Sequence, residues 1–176
     1  PKPSSAASDV YKRQVIAAQN ARSTTSVDLA NRSRGLTEEN FGLNGIDPKS
    51  QYIYVMDTFD YYNYAARHGL QYETVVIDPP SFARNKKKTF SVQKDYGSLV
   101  KGALSVLAPE GSLLLCTNSS AFSLKAFKNV IKKTLDEEGV EFEIREVMGL
   151  PKDFKTHPHY KPVSYTHLRA HETRED

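Results

Sequence analysis

The string Asp78-Pro79-Pro80-Ser81-Phe82 is the part of the chain whose residue types are most specific to a chemistry. Two successive prolines lock φ and remove two backbone donors, so the chain must leave in a rigid extended turn. The carbonyls of such a turn are left to accept hydrogen bonds from the edge of a planar base. Phe82 could then stack on that base, as proteins do with a nucleotide taken out of its helix. The plainer alternative is an ordinary strand-ending Pro-Pro turn. Arg84-Asn85-Lys86-Lys87-Lys88 follows at once. A basic run in that place would hold phosphates by sequence-independent attraction, whereas most lysine runs taken alone are solvated loops. Two further acids stand just before helical segments: Asp28, followed by Leu29, and Asp57, followed by Thr58. A carboxylate at a strand tip can accept both hydroxyls of a ribose, and Asp57 could accept from the amine of an adenine. Either acid is equally suited to capping the helix that follows it.

The remaining candidates carry less. Cys116 is the single cysteine, which excludes an intramolecular disulfide framework and any CxxC zinc site. It lies in the apolar string Ser112–Thr117 and reads as core rather than nucleophile. His157-Pro158-His159 has no third ligand nearby, and the intervening proline limits convergence, so no metal is expected.

The elements that must position these residues alternate between short β-rich runs and helical periods. Thr24–Asp28, Tyr52–Met56, Glu73–Ile77 and Ser112–Thr117 read as strands, the first three followed or closed by Asp28, Asp57 and Asp78. Ala30–Leu43, Thr58–His68 (apolar at Phe59, Tyr62 and Ala66) and Val92–Leu107 read as helices. So does a segment capped by Ser123 that buries Leu124, Phe127, Val130, Ile131 and Leu135. Pro109-Glu110-Gly111 reads as a turn and Glu141–Val147 as an edge strand. Such alternation predicts an α/β fold, a Rossmann-like, doubly wound, mostly parallel sheet. Ligands bind off the carboxyl ends of such strands, so three carboxylates are expected along one rim.

Both ends of the chain read as foreign. DVYKRQ can be coded by GATGTGTATAAGAGACAG, whose reverse complement reads V-S-Y-T-H in a shifted frame, the start of Val163–Thr173. Both segments resemble translated transposon-end adapters. Residues 1–14 and 163–176 are therefore expected to be non-native scars, with 15–162 as a partial catalytic domain. The scars hold five of the 24 basic and four of the 21 acidic residues, leaving 19 against 17, near +2. That balance is too mild to identify a polyanion partner by itself. No apolar run approaches the roughly 20 residues of a membrane span, and the expected compartment is the cytoplasm.

The motifs resemble those of the large-subunit ribosomal RNA methyltransferases that act on cytosine C5 or guanine N7. TTSVDLANRS is similar to that family's ribose-binding strand end, VMDTFDYY to its adenine-side segment, DPPSFARNKKKTFSVQKDY to its substrate loop and APEGSLLLCTNSS to the following strand. The resemblance implies S-adenosyl-L-methionine as cofactor, held by Asp28, Leu29, Asp57 and Thr58, and large-subunit rRNA as partner. It implies Asp78 and Pro79 as the catalytic pair, with Pro80, Ser81, Phe82, Arg84, Lys86, Lys87, Lys88 and Asn118 on the substrate. In cytosine-directed members a cysteine stands where this chain has Asn118, which favours a ring nitrogen as methyl acceptor. The family's glycine-containing first strand-turn, a final strand after Pro162 and a separate RNA-binding domain are missing, so this fragment is expected to be inactive. The competing readings are a non-catalytic RNA-binding remnant and a nicotinamide-dependent oxidoreductase. The latter would need a G-x-G-x-x-G turn after its first strand and leaves the DPPSF string without a role.

Overall fold

A computed structural model of the chain describes residues 5–84, 89–119, 122–149 and 164–171. In chain order its elements are α1 (Ser5–Asn20), β1 (Thr24–Asp28), α2 (Asn31–Leu43), a 3-10 turn (Pro48–Ser50), β2 (Gln51–Val55), α3 (Thr58–Arg67) and β3 (Tyr72–Ile77). There follow β4 (Phe82–Arg84), β5 (Thr89–Ser91), α4 (Val92–Leu104), β6 (Leu107–Thr117), α5 (Leu124–Glu137), β7 (Glu141–Met148) and β8 (Ser164–His171). The chain divides into two compact units, Pro1–Tyr64 and Ala65–Asp176.

In the first unit β1 and β2 pair in parallel, from Thr24↔Gln51 to Asp28↔Val55. Parallel strands need a crossover, and α2 supplies it, ending where Gly45 takes a left-handed φ of 66°. The buried Gln51 fixes the first rung: its Oε1 accepts from the Thr24 backbone N–H and from the Thr24 hydroxyl. Tyr54 packs on Tyr61 and Tyr64 with ring centroids 4.9 and 5.8 Å away. The buried positions of α3 are Tyr61, Tyr62 and Ala65, which corrects the expected stripe of Phe59, Tyr62 and Ala66. Thr37 of α2 donates to Gln14 Oε1 at 3.0 Å, so a residue from the segment read as foreign hydrogen-bonds to α2.

In the second unit the sheet order is β3-β6-β8-β7. β3 and β6 run in parallel and β8 lies antiparallel to both β6 and β7. The sequence left this sheet without a strand after residue 162; Ser164–His171 takes that place. A strand flanked by unpaired N–H and C=O groups is a template for any extended segment, and SYTHLRAH has the β-branched and aromatic content to fill it. β6 is longer than expected, because the Pro109-Glu110-Gly111 turn lies inside it as an irregularity. Tyr72 pairs with Leu107 and Thr74 with Ser112, so the register shifts there. Glu110 takes φ 57°, and a Cβ on Gly111 would sit 2.7 Å from the Ala108 carbonyl.

The core of this unit is α4 and α5 together with β6. Val92, Tyr96, Leu99, Val100 and Ala103 of α4 are buried, as are Phe127, Ile131 and Leu135 of α5. Gly97 lets the two helices approach, since a Cβ there would lie 2.9 Å from Thr134 Oγ1. Leu124, expected in the core, is 39% exposed in the first turn of α5. Tyr96, Phe122 and Phe127 meet edge to face, the closest pair 4.9 Å apart. Each such pair contributes about 0.5–1.5 kcal/mol beyond its buried area.

Candidate active site

The first unit brings two of the expected site acids to neighbouring strand ends. Asp28 is the last residue of β1, paired with Val55, and Asp57 stands two residues past Val55. Both are half-buried. Asp28 Oδ1 accepts from the Ala30 N–H at 2.9 Å and Oδ2 from the Ser33 hydroxyl at 2.6 Å. Ala30 is the N-cap of α2 and its side chain caps nothing. Asp28 therefore organises the entry to α2 from two residues upstream. Asp57 takes the capping role more directly, its Oδ1 accepting from the Phe59 N–H at 2.9 Å. Leu29 is 55% exposed and Thr58 half-buried. Ser33, buried at 5% exposure, is a partner of Asp28 that the sequence alone did not single out. Its only signal was a hydroxyl one turn into a helix that follows an acid.

The second unit carries Asp78 one residue past β3, followed by Pro79 and Pro80, all exposed or half-buried. The segment after them is not the expected loop. Phe82–Arg84 pairs antiparallel with Thr89–Ser91, Phe82 opposite Ser91 and Arg84 opposite Thr89. Thr89-Phe90-Ser91, three residues long, is shorter than the runs of roughly 4–8 residues by which a strand is read from sequence. Lys86, Lys87 and Lys88 lie outside the described residues, between the strands of this arm. Ser81 anchors it twice: its carbonyl accepts from the Val92 N–H at 3.2 Å and its hydroxyl donates to Asn118 Oδ1 at 2.8 Å. Ser81 and Asn118, 37 positions apart in sequence, thus meet just past the carboxyl ends of two paired parallel strands. Phe82 beside them is 61% exposed.

Cys116 is 1% exposed, in line with a core role. Its carbonyl accepts from the buried Tyr96 hydroxyl at 2.9 Å. Thr117 Oγ1 accepts from the Ser119 N–H at 3.3 Å, so the chain around Asn118 is held on both sides. Among the described residues no group of three His, Cys, Asp or Glu is placed to hold a metal, and no helix is long and apolar enough to cross a membrane. His157 and His159 lie outside the described residues.

A parallel α/β arrangement with acids at its strand ends and a Pro-Pro exit defines the class of nucleotide-cofactor folds that bind off the strand carboxyl ends. Comparison with known proteins narrows it. The family model described as S-adenosylmethionine-dependent methyltransferase matches residues 9–155. The chain belongs to that family, whose cofactor is S-adenosylmethionine. It is 46% identical over 136 residues to the candidate ribosomal RNA large subunit methyltransferase YwbD of Bacillus subtilis, covering 77% of this chain and 34% of that protein. Ribosomal RNA large subunit methyltransferase K of Neisseria meningitidis is 34% identical over 127 residues, covering 67% of this chain and 36% of its own. The solved candidate methyltransferase SMU.776, complexed with SAH, superposes with a TM-score of 0.83 at 37% identity. That match covers 93% of this chain and 43% of the other. The chain thus spans about a third of the length of these curated relatives.

Proposed function

We propose that this chain is part of an enzyme that methylates a base of large-subunit ribosomal RNA, at a ring nitrogen rather than at cytosine C5. The observation that carries the reading is the Ser81–Asn118 hydrogen bond. It ties the DPPSF arm to the end of β6 and puts an amide where the resemblance expects a cysteine in cytosine-directed enzymes. The ribosomal RNA named for the two relatives supports the substrate class.

S-adenosylmethionine, when bound, supplies a methyl group on a positively charged sulfur, open to in-line attack. The residues of the first unit fit its ribose and adenine end. Each oxygen of Asp28 accepts one internal hydrogen bond, and an ionised carboxylate has about four acceptor sites. Two ribose hydroxyls could therefore be taken without breaking the entry to α2. Asp57, on the adjacent strand end, would serve the adenine side, with Leu29 and Thr58 beside the two acids. In the second unit Asp78 and Pro79 would orient the acceptor base, with the Pro80 carbonyl taking its amine edge, Phe82 stacking on it and Ser81 and Asn118 closing the rim. Arg84, Lys86, Lys87 and Lys88 would hold the flanking phosphates. Positioning of this kind is enough for a ring nitrogen, which brings its own lone pair.

Cytosine C5 is not nucleophilic and needs a thiolate to attack C6 first. Cys116 is poorly sited for that. To bring its side chain to the Asn118 position, β6 would have to slip two residues, about 6.5 Å. The slip would break the β3 ladder and the Tyr96 bond. The test is trapping on RNA containing 5-fluorocytosine, which captures enzymes that attack C6. A protein spanning the full length of its relatives should form no adduct, and should keep its methyl transfer after Cys116→Ser apart from a packing penalty. A crosslink that disappears in Cys116→Ser would return the chain to the cytosine branch.

A further inference from the structure

α5 wears its charges against its own dipole. Helices favour anions near the N-terminus and cations near the C-terminus. α5 has no acid in its first turn and no base in its last; Lys125, Lys128, Lys132 and Lys133 precede Asp136 and Glu137. Lys133 lies 3.7 Å from Glu137. Lys125, Lys128 and Lys132 make no ion pair among the described residues. Their spacing of three and four residues sets them on one face, extending about 10 Å along the axis. Asn129 and the half-exposed Leu124 stand beside them on the same helix, while Phe127, Ile131 and Leu135 are buried. The helix starts six residues after Asn118, so this face begins close in sequence to the rim that holds the candidate substrate contacts.

We propose that this face of α5 is a docking surface for the sugar-phosphate backbone of the substrate RNA, separate from the DPPSF arm. The inference rests on the reading that the substrate is RNA. The three cations repel one another, and Lys125, in the first turn of α5, also faces the positive end of the dipole; a polyanion laid along them relieves both. A phosphate backbone suits such a row because lysines act on it as point charges, with no base-specific geometry required. A protein partner suits it less, since protein interfaces are poor in lysine and rich in aromatic anchors, and neither Leu124 nor Asn129 beside the lysines is aromatic.

The experiment titrates the 176-residue chain with a labelled large-subunit ribosomal RNA transcript across a range of salt. Lys125→Gln/Lys128→Gln/Lys132→Gln should weaken binding about tenfold or more at low salt. It should also lower the salt slope by about 2, near 0.7 for each lost contact. Lys133→Gln, on the paired lysine, should stay within about twofold. Because the Gln variant removes Lys125 from the first turn of α5 and relieves repulsion along the row, its melting temperature should hold or rise. If the triple variant misfolds, Lys128→Gln alone should still lower the slope by about 0.7. An unchanged slope in these variants, while Lys86→Gln/Lys87→Gln/Lys88→Gln lowers it, would overturn the α5 surface and leave the RNA reading standing. A wild-type chain that binds no RNA would sink both. Loss of binding to poly-glutamate with RNA binding intact would assign the face to an acidic protein instead.

Discussion

Asp28 organises the entry to α2 and, in the proposed reading, holds the cofactor ribose; one substitution series can separate the two. In Asp28→Asn the remaining carbonyl oxygen can still accept from the Ala30 N–H, and the Ser33 hydroxyl can turn to accept from the new amide. The entry to α2 should survive at a cost below about 1 kcal/mol, one neutral hydrogen bond's worth. A ribose presents two hydroxyl donors, so one of them would lose its charged acceptor, about 1.5–3 kcal/mol. That converts to roughly 10- to 150-fold in affinity. Asp28→Ala deletes both internal bonds, at 2.9 and 2.6 Å, as well as the ribose contact. It should cost stability in addition, about 3–6 kcal/mol from two bonds to a charged group. At roughly 2–4 °C per kcal/mol for a chain of this size, the melting temperature should fall by about 6–24 °C. Titration calorimetry with S-adenosylhomocysteine and thermal melts of each variant, in a protein spanning the full length of its relatives, measure the two effects independently. If Asp28→Asn binds within twofold of wild type, Asp28 serves only the entry to α2 and the cofactor assignment is refuted.

Three other outcomes are expected. Neutralising Lys86, Lys87 and Lys88 should lower the salt slope of RNA binding by about 0.7 per lost contact and leave cofactor affinity unchanged in calorimetry. Burial pushes the Tyr62 hydroxyl well above its usual value, so the folded state keeps that proton longer than the unfolded chain. The stability it contributes is whole below about pH 10 and declines as pH rises past it. Melting curves of Tyr62→Phe should be correspondingly flatter between about pH 9 and pH 11. Gly111→Ala would put a methyl 2.7 Å from the Ala108 carbonyl and the Leu107 side chain. It should destabilise by about 1–3 kcal/mol in denaturant unfolding, and an unaffected midpoint would mean the β6 irregularity relaxes freely.

Much of the fold was legible because local signals and burial agree in it. The Ser123 cap is real, accepting from the Ala126 N–H at 3.2 Å, and Gly45, Gly69 and Gly139 all take left-handed φ just past helix ends. What was not legible depends on pairing. Thr89-Phe90-Ser91 is too short to announce itself, and becomes a strand only because Phe82–Arg84 is opposite. The irregularity at Glu110 reads as a turn by composition, yet both of its flanks stay on the β3 ladder. Of Phe59, Tyr62 and Ala66 only Tyr62 is buried, because helical spacing alone fits more than one face of α3 and its buried companions are Tyr61 and Ala65.

The site divides in the same way. Residue type and strand-end position were enough to expect Asp28 and Asp57 at or just past strand ends and the DPPSF string just past a third, because a strand's carboxyl end is set by its own sequence. They could not select Ser33 or the partner of Ser81. Both are contacts made by tertiary structure: Ser33 reaches back five residues to Asp28 and Ser81 reaches 37 to Asn118. Asn118 entered the sequence reading only through a family comparison of one position. The structure gives that position a physical setting, an exposed amide just beyond a buried strand, with Tyr96 gripping the Cys116 carbonyl two residues before it. An amide there is held without being enclosed. In the proposed reading the rim therefore has a fixed polar group where a covalent mechanism would need a mobile, ionisable one.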